Sequence, residues 1–165
     1  MRAPPLGAAV ALAAPIEAVR GLVLLGPGGI MRVRVSPRVM SATMPWLLAS
    51  TPARSGRLLQ LMLADGHMPS PALVQWMTLV ARHIRSSLAP APAARRGAAA
   101  LGKARGGGDG ATGTEDIFLP PDRLGPAVAR QLRANLAVIP NAGRLVPEEQ
   151  PTAVLSLVND LSTRL

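Results

Sequence analysis

The sequence predicts an α/β protein with an incomplete parallel sheet and a helical insertion, and three observations carry that prediction. Apolar, Leu- and Val-rich runs closed by Gly or Pro occur at two distant places, "VRGLVLLGPGG" (19–29) and "LAVIPNAG" (136–143), as buried strands ending in loops do. Each run has a helical pattern beside it, which is how parallel strands are connected. Between them the period changes to that of a helix over residues 41–88.

The elements follow in order. Residues 6–14, "LGAAVALAA", read as a short helix of small residues suited to packing closely on a sheet. Residues 19–29 read as the strand after it. In the 41–88 stretch, Thr51-Pro52 and Ser70-Pro71 each set a capping side chain before a proline at the first helical position, and Gly66 separates the two segments. Within "PALVQWMTLVARHIRSSL" (71–88), Leu73, Met77, Val80, Ile84 and Leu88 form an apolar stripe opposite Gln75, Thr78, Arg82, Arg85 and Ser86. Residues 89–113 are rich in Gly, Ala and Arg without periodicity, and read as a linker or disordered segment. After an acidic turn, a helix is expected over about 122–133 and a strand over about 134–139. A last helix over about 151–164 places Val154, Leu157, Val158 and Leu161 on its buried side. This gives four regions: a core fragment at 1–30, a helical segment at 31–88, the linker at 89–113, and a C-terminal core fragment at 114–165.

Composition limits the possible functions. At 165 residues and 48% hydrophobic content the chain can bury a core, although aromatic residues are only 2%. The net charge of +9 is unevenly spread, because residues 1–107 carry +11 and residues 108–165 carry −2. Such a basic stretch suits nucleic acid or anionic lipid. Yet all but one of the 18 cations are Arg, and excess Arg, Ala, Gly and Pro is also what GC-rich coding sequence produces. The absence of Cys excludes disulfides, thiolate catalysis and thiolate zinc sites. Pro15 and Glu17 interrupt the Ala-rich start, no apolar span of 18 residues follows, and a cytoplasmic protein is expected.

The motifs resemble the α/β-hydrolase family. "LGAAVALAA…EAVRGLVLLGPGG" is similar to that family's helix and strand after the nucleophile elbow, and residues 31–88 to its helical cap. "GTEDIFLPPDR" resembles the turn presenting the catalytic acid, and "LAVIPNAGRLVPEEQPTAVLSLV" the last strand, histidine loop and final helix. The implied fold is a partial α/β-hydrolase fold with a helical cap. The resemblance covers nearly the whole chain but only the C-terminal half or so of a complete hydrolase, so a truncated form is expected. Relatives are implied to cleave ester-type or carbon–carbon bonds in small molecules, without a cofactor or metal.

Residue by residue, the resemblance places the acid at Asp116 and the histidine position 28 residues on, at Arg144. It puts the nucleophile at Pro5 and one oxyanion N–H at Leu6. Imidazole relays a proton because it titrates near neutrality, whereas guanidinium stays protonated and cannot act as a base. Arg144 can pair with Asp116, giving an ion pair where the family has a relay. Proline offers no nucleophilic atom, so the chain is expected to be inactive. The family also has an apolar strand just before the acid turn, and "GKARGGGDGAT" is expected to provide none.

Other features have plainer readings. His67 and His83 sit in the cap-like helices as surface or interface residues, and Met62 and Met77 suit core filling or an apolar pocket wall. "GPGG" (26–29) lacks the spacing and lysine of a phosphate loop and reads as a strand-ending turn. The long "GHMPSP" turn does not fit a helix-turn-helix, and nothing in the sequence is a specific nucleic-acid or membrane signal. Three readings stand: an inactive hydrolase relative, a basic nucleic-acid-binding or interaction module, and a non-functional gene remnant. Oligomeric state is not legible.

Overall fold

Three short strands lie side by side in chain order and run parallel. They are β1 (Leu22–Leu25), β2 (Gly108–Gly113) and β3 (Leu136–Ile139). The computed structural model describes residues 22–28, 30–31, 36–83 and 108–164. Pro5, Leu6, the 6–14 helix and residues 89–107 of the expected linker lie outside the described residues.

The central strand corrects the sequence reading. Residues 108–113, assigned above to the linker and judged unable to form a strand, pair with both neighbours. The registers run from Leu22↔Gly108 to Leu25↔Ala111 on one side and from Gly110↔Leu136 to Gly113↔Ile139 on the other. Packing explains why propensity failed here. Leu24, Gly110 and Leu136 form one cross-strand row, and a Cβ on Gly110 would lie 3.2 Å from Leu136 and 3.3 Å from Val128. The space beside the bare glycine is filled by its neighbours, so close approach takes the place of a β-branched side chain.

The helices that flank the sheet are α4 (Pro121–Leu132) and α6 (Pro151–Thr163), with a single turn, α5 (Val146–Glu149), before α6. Leu124, Ala127, Val128 and Leu132 of α4 pack with Leu24, Ile30 and Leu119 into one buried cluster. Ile139, Ala142 and Val146 form a second, against Ala153, Val154 and Leu157 of α6. Because Leu136 belongs to the first cluster and Ile139 to the second, strand alternation puts the two helices on opposite faces. Val158, expected on the buried side of α6, is 47% exposed, since the strip in contact runs through Ala153, Val154 and Leu157.

Three helices fill the segment before the central strand: α1 (Pro37–Leu48), α2 (Pro52–Gln60) and α3 (Pro71–His83). Each starts as the sequence dictates. Ser36 accepts from the Val39 N–H at 3.3 Å, Thr51 from Arg54 at 3.3 Å and Ser70 from Leu73 at 3.2 Å, each ahead of a proline that needs no N–H partner. α2 lies between the other two. Ser55 Oγ accepts from the Trp46 indole at 3.1 Å and is hydrogen-bonded to the Thr78 hydroxyl at 2.7 Å.

One residue departs from the expected polarity of α3: Thr78, assigned to the polar face, is buried, whereas Leu73, Met77 and Val80 of the apolar stripe are half-buried and Gln75 and Arg82 are exposed, as expected. A buried partner on α2 turns the helix toward Thr78, and the expected stripe members Ile84 and Leu88 lie outside the described residues. Among the described residues no helix is long and apolar enough to cross a membrane.

Candidate functional site at the sheet rim

The C-terminal ends of the three strands meet two loops, and those loops bring together the acid and histidine positions expected from the sequence. β2 runs directly into the turn that holds Asp116. Thr114 N–H donates to Ile139 O at 2.9 Å, which carries the turn over the end of β3. Gly113 is needed there for space, because a methyl group at this position would collide with the carbonyls of Ala142 and Gly143.

Asp116 is 2% exposed and fully bonded. Its Oδ1 accepts from the backbone N–H groups of Phe118 and Leu119, each at 2.9 Å, so the carboxylate closes its own turn. Its Oδ2 accepts from the Thr112 hydroxyl at 3.2 Å and from Arg144 Nη1 at 3.0 Å. Four donors converge on two oxygens, and one of them carries a full positive charge. A buried carboxylate is sustained by such a set of partners.

Arg144 arrives from the other loop. Pro140 ends β3, Asn141 takes the left-handed conformation with φ 51°, as Asn tolerates, and the chain reverses. The guanidinium passes over Gly26, itself at φ 49°, whose added Cβ would lie 2.5 Å from Arg144 Nη1. Gly26 N–H donates to Ala111 O at 2.6 Å, which holds the end of β1 against β2 below the ion pair. The Arg144 side chain is 13% exposed and that of Asp116 1%.

This arrangement holds a fixed pair of opposite charges. Every proton that Arg144 presents to Asp116 is bound to a group that stays protonated across the working range of enzymes, so the contact has no proton to relay. His67 and His83 do not join it: His67 Nδ1 lies 3.3 Å from Glu149 Oε1, and His83 Nδ1 is 2.8 Å from Leu79 O at the end of α3. An open apolar groove of about 590 Å³ between α2 and α3, lined by Pro52, Gly56, Met68 and Val74, includes none of the rim residues. Among the described residues no group of three or more His, Asp or Glu side chains is arranged to hold a metal.

Sequence reasoning missed Thr112 and Glu149. Thr112 falls in a Gly-rich stretch that reads as linker, and nothing local in the sequence marks its hydroxyl as an acid's partner. Glu149 has a signal that was readable in "NAGRLVPEEQP": a Gly turn exposes N–H groups, and carboxylates follow a few residues later to accept from them.

The parallel sheet, its flanking helices and the helical segment before the central strand form part of an α/β-hydrolase fold. Solved structures show the same at low sequence identity. A 2-hydroxy-6-oxo-6-phenylhexa-2,4-dienoate hydrolase from Rhodococcus superposes with a TM-score of 0.70 at 18% identity, over 97% of this chain and 62% of that one. A meta-cleavage product hydrolase from Pseudomonas fluorescens gives 0.69 at 20%, over 98% and 63%. A carboxylesterase from Bacillus subtilis gives 0.67 at 16%, over 96% and 57%. The chain thus spans about three-fifths of the length of these hydrolases. No family model and no curated protein matches the sequence.

Proposed function

We propose that this chain derives from hydrolases of ester-type or carbon–carbon bonds in small molecules and is itself catalytically inactive. The observation that carries the reading is the ion pair of Arg144 with Asp116, 3.0 Å long, between the two positions that the resemblance gives to the relay's imidazole and acid. The sequence adds Pro5 at the nucleophile position, outside the described residues. Without a nucleophile or base, only the weak acceleration from binding and backbone donors is left.

A short-chain activated ester tests this. The purified chain is expected to show at most that weak acceleration over the buffer, and the R144H variant is expected to be no faster, because Pro5 still lacks a nucleophilic atom. Turnover by the unaltered chain that disappears in D116N would sink the proposal.

A further inference from the structure

Glu149 joins the loop that bears Arg144 to the helical segment. Its side chain is 2% exposed. Oε1 accepts from the Ala64 backbone N–H at 2.6 Å, and Oε2 accepts from the Gly143 N–H at 2.9 Å. One carboxylate therefore satisfies two main-chain donors that lie far apart in sequence and outside any ladder. Next to it, Arg144 N–H donates to Met62 O at 2.6 Å, and the Gly143 backbone lies so close to the turn that an added Cβ would come within 2.8 Å of the Leu63 carbonyl carbon. Glu115 repeats the device from the acid turn: its Oε2 accepts from Asp65 N–H at 2.9 Å while its own N–H donates to Ala142 O at 3.0 Å. His67 Nδ1 approaches Glu149 Oε1 without forming a directed hydrogen bond.

We infer that Glu149 is the positioning residue of this site: by tying Gly143 to Ala64 it sets where the side chain at position 144 meets Asp116. The inference takes from the proposed function only the identity of the site, and it stands whether or not the chain turns over an ester. The geometry follows from donor and acceptor chemistry. Two N–H groups from different segments reach the two separate oxygens of one carboxylate, and a glutamine of the same size in the same pose would turn an NH₂ toward one of them. The consequence is that the backbone at 143–144 is fixed independently of which side chain position 144 carries.

Amide hydrogen exchange of the unaltered chain, followed by NMR, is the first measurement. The Ala64 and Gly143 amides are expected to exchange slowly and with protection factors matched within about threefold, because one opening frees both. In E149Q at least one of them is expected to exchange about tenfold faster while the β2–β3 ladder keeps its rates. The second readout is the titration of the new imidazole in R144H. Asp116 is expected to raise its pKa above the ordinary histidine value of about 6.5, and the shift is expected to collapse in R144H/E149Q. A side chain that merely packs would lower stability without moving that titration. Equal imidazole titrations with and without E149Q overturn the inference, as do unmatched protection factors for Ala64 and Gly143 in the unaltered chain. If E149Q does not fold, the matched-protection measurement decides alone.

Discussion

The sheet rim and the helical segment both bury polar groups, and they satisfy them in different ways. At the rim a carboxylate, Asp116, sits 2% exposed with two backbone donors, a hydroxyl and a guanidinium around it. Among the described residues of the helical segment, the polar side chains buried as a whole are Thr43, Ser55 and Thr78, all neutral hydroxyls. Thr43 bonds Val39 O at 2.7 Å one turn back, Thr78 bonds Val74 O at 2.7 Å in the same way, and Ser55 links α1, α2 and α3. The outward surfaces differ as well: Leu48, Met68, Trp76 and Leu79 of the helical segment are more than half exposed, whereas the acid turn packs Leu119 fully into the α4 cluster. The rim commits charge to a dry place, where the cost of removing one partner is high. The helical segment commits only dipoles, where it is low.

Breaking the rim is therefore expected to give the largest effect. Asp116→Ala leaves the largely buried Arg144 guanidinium without its counter-charge and frees the Thr112 hydroxyl and the Phe118 and Leu119 N–H groups. Removing one partner of a buried pair costs about 3–5 kcal/mol. Urea unfolding of the variant beside the unaltered chain measures this. A loss below about 1 kcal/mol would mean that the pair is effectively solvated and that the two regions do not differ as described.

The legibility of the molecule divides along the same line. The strands at β1 and β3 and the helices α2, α3, α4 and α6 were readable because apolar runs, Thr-Pro and Ser-Pro caps and a Gly turn speak through local chemistry alone. The contact of Asp116 with Arg144 was readable through motif order. β2 was not, since "GDGATG" has neither β-branched density nor alternation, and what makes it a strand is the shape of its neighbours. Thr78 was misplaced for a related reason: its partner, Ser55, lies 23 residues away and no helical period contains it. Glycine as a spacer is open to test at the rim. Gly113→Ala pushes a methyl into the carbonyls of Ala142 and Gly143, backbone atoms held by the loop that carries Arg144. Overpacking of this kind costs about 1–3 kcal/mol. The denaturation midpoint should fall accordingly, and an unchanged midpoint would show that the acid turn and the 142–144 loop can separate freely.

The smallest effect is expected from the hydroxyl pair inside the helical segment. Thr78→Val keeps the shape of the side chain and removes the bonds to Ser55 Oγ and Val74 O. Ser55 retains the Trp46 indole as a partner and can turn its own proton toward a helix carbonyl, so little is left unpaired. A loss of about 0.5–1.5 kcal/mol is expected, since a neutral hydrogen bond contributes that much net. Asp116→Ala and Thr78→Val, measured in one urea series, set the two regions on one scale. A Thr78→Val loss equal to that of Asp116→Ala would place the highest-stakes polar contact in the helical segment and would leave the rim pair as an exchangeable surface feature of the fold.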